Sequence, residues 1–124
     1  MNQKITLLWA AALGCFTVMI GAFGAHALKD VLSANGRLET YDLAVQYQFV
    51  HTLALFLTGI LMSQFTSKRL HYASLLFLLG IIFFSGSLFV LSLTGITLLG
   101  AVTPLGGLLF IAAWLMLFLG ILKK

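Results

Sequence analysis

The residues of this chain with chemistry to offer are two internal histidines, three amide and phenol side chains, one carboxylate and a few hydroxyls. His51 stands four residues after Tyr47 and three after Gln48, so helical spacing sets these three within reach of one face. Asp42 and Gln46 are also four apart and share another face. His26 closes Gly21-Ala22-Phe23-Gly24-Ala25-His26, where the glycines let a neighbouring helix or a ligand approach the backbone. Ser85, Ser87 and Thr103 add hydroxyls further along. Brought to one place, these groups would hold a polar molecule by hydrogen bonds, and His26, Asp42, Gln46, Tyr47, Gln48, His51, Ser85, Ser87 and Thr103 are the expected ligand-binding set. For His51 the structural alternative is a tie between helices, worth about 0.6–2 kcal/mol per hydrogen bond. His26 and His51 lack a third ligand at metal-site spacing, so no metal is expected. Neither a nucleophile–base–orienter set nor a phosphate loop is visible, so the expectation is a protein that is not an enzyme and carries no cofactor.

Composition decides what positions these groups. Of 124 residues, 61% are hydrophobic and 8% charged, against about 45–50% and about 25% in a soluble domain. Too few charges remain to solvate a globular surface, and the apolar content excludes disorder. The net charge of +4 comes from Lys and Arg scattered in ones and twos rather than in a stripe, which argues against nucleic acid. The partner this composition demands is the lipid bilayer.

Crossing the hydrocarbon core takes about 20 apolar residues as a helix. Four such runs fall at about 5–28, 41–62, 72–93 and 104–122, within a single transmembrane domain covering 1–124. The expected fold is all-α, a four-helix transmembrane bundle with antiparallel spans, because lipid cannot satisfy an exposed strand edge. Lys4, Lys68, Arg69, Lys123 and Lys124 collect on one side and only Lys29 and Arg37 on the other, so both termini are expected to be cytoplasmic. Localisation in the bacterial cytoplasmic (inner) membrane follows. At about 1.5 Å per residue His51 lies roughly 15 Å below Tyr41, and spans one, three and four bring their polar groups to the same outer half. Ala25-His26-Ala27 has the form of a signal-peptidase site, but the apolar run before it exceeds a signal h-region, and cleavage is not expected. Cys15 is alone in mid-span and reads as a small buried hydrophobe, and His71 beside Lys68 and Arg69 reads as an interface residue.

Small or polar residues recur seven apart in every span: Gly14 and Gly21; Ala44, His51 and Thr58; Gly80, Ser87 and Thr94; Gly106, Ala113 and Gly120. That period suits left-handed packing at about +20°. Were such stripes to face outward they would lack a partner within one chain, so a homo-oligomer is expected. Thr103 is placed as N-cap and Pro104 as first residue of span four. The apolar, charge-free Ile96 to Val102 either lies in the membrane interface or dips into the bundle.

Four stretches resemble a known family in order along the chain. They are Gly21-Ala22-Phe23-Gly24-Ala25-His26, Ala44-Val45-Gln46-Tyr47-Gln48-Phe49-Val50-His51, Phe84-Ser85-Gly86-Ser87-Leu88, and Leu99-Gly100-Ala101-Val102-Thr103-Pro104-Leu105-Gly106-Gly107. The family is the domain of unknown function 423, small bacterial membrane proteins whose eukaryotic relatives are called transmembrane protein 256. Ala27 stands where the family usually has Gly, and Phe49-Val50 replaces a more usual Met-Tyr pair, which removes a hydroxyl beside His51. The resemblance implies four spans and a membrane location, and no established activity. The functional expectation is therefore an integral membrane protein that binds a small molecule, lipid or partner helix through an outer-half polar cluster. The alternative is a small oligomeric transporter or channel.

Overall fold

The computed structural model describes residues 1–122; Lys123 and Lys124, which entered the charge count, lie outside the described residues. Among the described residues five α-helices form: α1 (Gln3–Ala25), the short α2 (Lys29–Ala34), α3 (Leu38–Leu61), α4 (Lys68–Thr94) and α5 (Thr103–Leu122), with a 3-10 helix at Thr97–Ala101 before the last. Among the described residues there is no strand. Four of the helices are long and apolar enough to cross a membrane.

Local chemistry sets the ends. The Asn2 side chain accepts the Ile5 N–H at 2.8 Å to cap α1, and Ser67 caps α4 through the Arg69 N–H at 3.3 Å. Span one stops three residues earlier than expected, because the His26 backbone leaves the helical region and the Leu28 N–H folds back on the Phe23 carbonyl at 2.8 Å. α4 ends at Gly95, whose φ of 73° is a left-handed turn that a side chain would strain.

The start of α5 differs from the sequence expectation. The Val102 carbonyl takes the first turn's N–H groups, from Leu105 at 3.1 Å and Gly106 at 3.4 Å. Thr103 is already helical, and its hydroxyl turns sideways to Ser87 instead of capping. Ile96 to Val102 does not dip into the bundle. Its 3-10 helix buries no residue, Leu98 is 80% exposed, and only Leu99 packs inward, near Leu88 and Leu91.

Neighbours in sequence are neighbours in space. α1 packs on α3, α3 on α4 and α4 on α5, antiparallel throughout, while α1 and α5 lie at the two ends of this row. Burial follows that order, with four buried residues on α1 and twelve on α4. The core runs along α4, where Leu70, Ala73, Phe77 and Ile81 meet Leu55 of α3 and Phe110, Ala113 and Leu117 of α5. Met1 and the last turn of α5 reach the Lys4 and Arg69 end of the bundle. There the Met1 ammonium donates to the His71 carbonyl at 3.0 Å, His71 Nδ1 donates to the Met1 carbonyl at 2.6 Å, and Arg69 donates to the Leu119 carbonyl at 3.3 Å.

The small residues let helices touch within the chain. A Cβ on Gly106 would stand 2.7 Å from the Phe84 Cα, and one on Gly80 would meet the Phe110 ring at 2.6 Å. Gly120 faces Leu70, Gly59 faces Leu7 and Thr6, and Gly21 faces Val45. In lipid such close approach supplies dispersion contact that no hydrophobic drive would provide. Gly21, Gly80, Gly106 and Gly120 of these stripes are thus engaged inside one protomer, while Thr94 is exposed.

Candidate functional site

The polar groups expected to share one constellation are divided among the helix interfaces. On the α1 side of α3, Gln48 Nε2 donates to Thr17 Oγ1 at 2.8 Å, and Thr17 itself donates to the Leu13 carbonyl at 2.6 Å. Between α3 and α4, the Ser85 hydroxyl donates to the Ala44 carbonyl at 2.8 Å. Between α4 and α5, Ser87 and Thr103 share a hydrogen bond of 2.8 Å. Gln48 therefore faces α1 and does not join His51, contrary to the three-residue spacing argument. Three residues turn a helix by about 300°, which here is enough to place Gln48 against a different neighbour.

His26 is exposed at the end of α1, beside a cavity of about 440 Å³ lined by Met19, Ala22, Phe23 and Ala27. The adjoining cavity, about 220 Å³, lies between Phe23, Tyr41 and Phe89, with the Tyr41 hydroxyl donating to the Ile20 carbonyl at 2.6 Å. Asp42 is exposed one turn inside the start of α3. Neither His26 nor Asp42 shares a cavity with His51. Among the described residues, no three His, Cys, Asp or Glu side chains come together as a metal site would require.

What does assemble is centred on His51. The backbones of α3 and α5 stand apart across α4, and side chains bridge the gap. His51 Nδ1 lies 2.7 Å from the Tyr47 carbonyl. A carbonyl can only accept, so Nδ1 carries the proton and Nε2 presents its lone pair. The Trp114 indole N–H donates to that lone pair at 3.1 Å. Both ring nitrogens are occupied and the imidazole is neutral, as its burial at this depth demands. Phe110 stacks on it with ring centres 3.6 Å apart at 11°, Tyr47 lies nearly parallel at 5.8 Å, and Phe77 and Trp114 close two further sides at 6.0 Å each.

Beside this aromatic nest opens a cavity of about 320 Å³ lined by Gln46, Tyr47, Val50, His51 and Trp114. Gln46 and Tyr47 are exposed, and among the described residues neither the Gln46 amide nor the Tyr47 hydroxyl has a hydrogen-bond partner. α3 runs from Leu38 to Leu61, which puts Gln46 about 5 Å and His51 about 2 Å along the axis from its midpoint. With a hydrocarbon half-thickness of about 15 Å, both residues sit well inside the apolar slab. No charged side chain lines the cavity.

The groove thus keeps three of the nine expected residues together, Gln46, Tyr47 and His51. It also adds Trp114, Val50 and, behind His51, Phe110, which spacing arguments passed over. Trp114 was findable. Counted inward from Thr103 it lies about 16 Å deep on α5, close to the depth of His51 on α3.

Comparison with known proteins agrees with a membrane protein. Residues 20–107 match the family model described as Protein of unknown function (DUF423). UPF0382 membrane protein SH2409 of Staphylococcus haemolyticus is 45% identical over 121 residues, covering 98% of each chain. UPF0382 membrane protein YwdK of Bacillus subtilis is 37% identical over 98% of each. UPF0382 inner membrane protein YgdD of Escherichia coli K12 is 35% identical, over 99% of this chain and 93% of its own. No solved structure matches the chain. The matched region runs from Ile20, at the close of α1, to Gly107, just past the Gly106 contact with Phe84, and so contains Gln46, Tyr47, His51, Ser85 and Thr103: this chain is a multi-pass membrane protein belonging to the DUF423 family.

Proposed function

We propose that this protein resides in the bacterial cytoplasmic membrane and binds, without transforming it, a lipid-soluble molecule bearing a polar group. The binding site is the groove between α3 and α5. The location is supported by the four apolar helices and by the relative named an inner membrane protein. One observation carries the binding role: the Gln46 amide and Tyr47 hydroxyl, both without a partner among the described residues, open onto one cavity near mid-membrane. A polar group left unpaired in hydrocarbon costs several kcal/mol, about 2–7 by transfer measurements, and a guest that hydrogen-bonds there recovers part of it.

The non-catalytic reading is supported by His51, whose two nitrogens are committed to Tyr47 and Trp114 and leave no lone pair for a base. Transport has less in its favour. A carrier needs polar groups free to handle cargo across both halves, whereas Thr17–Gln48, Ala44–Ser85 and Ser87–Thr103 are each satisfied within their own helix pair.

A photoreactive benzophenone side chain at Val50, in the groove, tests the reading against the same side chain at Ile111, which is 66% exposed on α5. Irradiation in native membranes should yield one dominant adduct of discrete mass at position 50, weakened by Gln46→Leu with Tyr47→Phe. The same mixture of phospholipid adducts at both positions would defeat the proposal.

A further inference from the structure

We infer that the guest of the α3–α5 groove is a lipid-soluble quinone, held by its ring carbonyls; this rests on the groove being a binding site, as proposed above. Three features of the groove select the chemistry. The first is depth: Gln46 and Tyr47 lie about 10 Å inside the hydrocarbon edge, below the level of phospholipid esters and headgroups, so the guest's polar group must be one that dissolves in the apolar slab. A charged head would be costly there, and no side chain of opposite charge lines the cavity to offset it.

The second is the hydrogen-bonding inventory. The free groups are the Gln46 amide, with two N–H bonds and its carbonyl oxygen, and the O–H of Tyr47 on the adjacent residue, while His51 and Trp114 have spent their donors on each other and on the Tyr47 carbonyl. Three of these are donor hydrogens, so a guest that accepts engages most of them, and a carbonyl is the uncharged acceptor that matches an amide N–H and a phenol O–H. The third is shape. The Tyr47 and His51 rings that line it lie within 15° of parallel, and the Trp114 indole stands at 67° to His51. Stacked aromatic walls of this kind favour a flat, conjugated ring over a kinked acyl chain or a bulky alicycle. The remaining wall is Val50, and the mouth faces lipid, which leaves an exit for an apolar tail.

Trp9 and Trp114 are the two tryptophans of the chain, so Trp9→Phe leaves the groove indole as sole emitter. Quinones quench indole fluorescence by accepting an electron from its excited state. In nanodiscs, a naphthoquinone with a short prenyl tail should quench Trp114 saturably. A reference protein carrying Ile111→Trp with Trp9→Phe and Trp114→Phe should show only the linear quenching of quinone dissolved in lipid. Gln46→Leu and Tyr47→Phe should each weaken the saturable phase about 3- to 10-fold, the range for losing one hydrogen bond. Linear quenching at Trp114 indistinguishable from the reference, or saturation untouched by both variants, would overturn the quinone assignment. The Val50 photoadduct separates the two levels: a discrete adduct of non-quinone mass keeps the groove and removes the quinone, and no discrete adduct removes both.

Discussion

The indole N–H of Trp114 and the lone pair of His51 Nε2 meet at 3.1 Å and join α5 to α3, two helices whose backbones do not pack on each other. The bond works because the Tyr47 carbonyl takes the Nδ1 proton and so fixes the imidazole tautomer. A histidine near mid-membrane is thereby neutral, saturated and stacked on Phe110.

Breaking this pair should cost more than its burial alone. Trp114→Phe leaves Nε2 without a donor, and His51→Leu leaves the indole N–H without an acceptor. A double-mutant cycle on unfolding in mild detergent should return a coupling of about 0.6–1.7 kcal/mol, the span found for polar pairs between membrane helices. Additive single effects would show that the two rings merely adjoin.

At the α4–α5 crossing, Gly106→Ala should be disruptive and Gly107→Ala nearly silent. A Cβ on Gly106 runs into the Phe84 backbone, with 2.7 Å to its Cα, whereas one on Gly107 meets nothing within 4 Å. Backbone cannot swing aside as a side chain does, so about 1–3 kcal/mol is expected for Gly106→Ala, as for overpacked cores. Thermal melts of the two variants, compared directly, check it; equal midpoints would mean that α5 slides freely on α4.

The Gln48–Thr17 pair predicts an asymmetry. Gln48→Leu removes a buried amide and leaves Thr17 still donating to the Leu13 carbonyl. Thr17→Val strands the Gln48 N–H with no acceptor, which costs about 1–3 kcal/mol for a buried group. Thr17→Val should therefore melt below Gln48→Leu, and the reverse order would place the value of the contact in packing.

The side of the membrane is predicted by charge. Lys4, Lys68 and Arg69 share the end at which Met1 meets α4 and the last turn of α5, against Lys29 and Arg37 at the other. With Cys15 replaced by Ala, an impermeant maleimide applied to intact cells should label Lys29→Cys and spare Lys68→Cys. Labelling of Lys68→Cys from outside would invert the topology.

Composition and hydrophobic run length determined the class of this protein, because the hydrocarbon thickness imposes one length on any helix that crosses it. From this came four antiparallel spans and a candidate set centred on the second, with His26, Ser85, Ser87 and Thr103 drawn from the other three. Positional detail at the ends was less legible. His26 left the helix early, and Thr103 gave its hydroxyl to Ser87, because a side chain with two partners in reach takes the one that the fold brings nearer.

Which polar residues keep company was decided by tertiary structure alone. Spacing along α3 set Gln48 beside His51, yet one turns to Thr17 on α1 and the other to Trp114 on α5. Helical periodicity fixes angles about one axis and is silent on which neighbour stands at each angle. That choice rests on contacts between residues far apart in sequence, such as Gly106 on Phe84 and Gly80 on Phe110, which draw α5 onto α4 and carry Trp114 to His51.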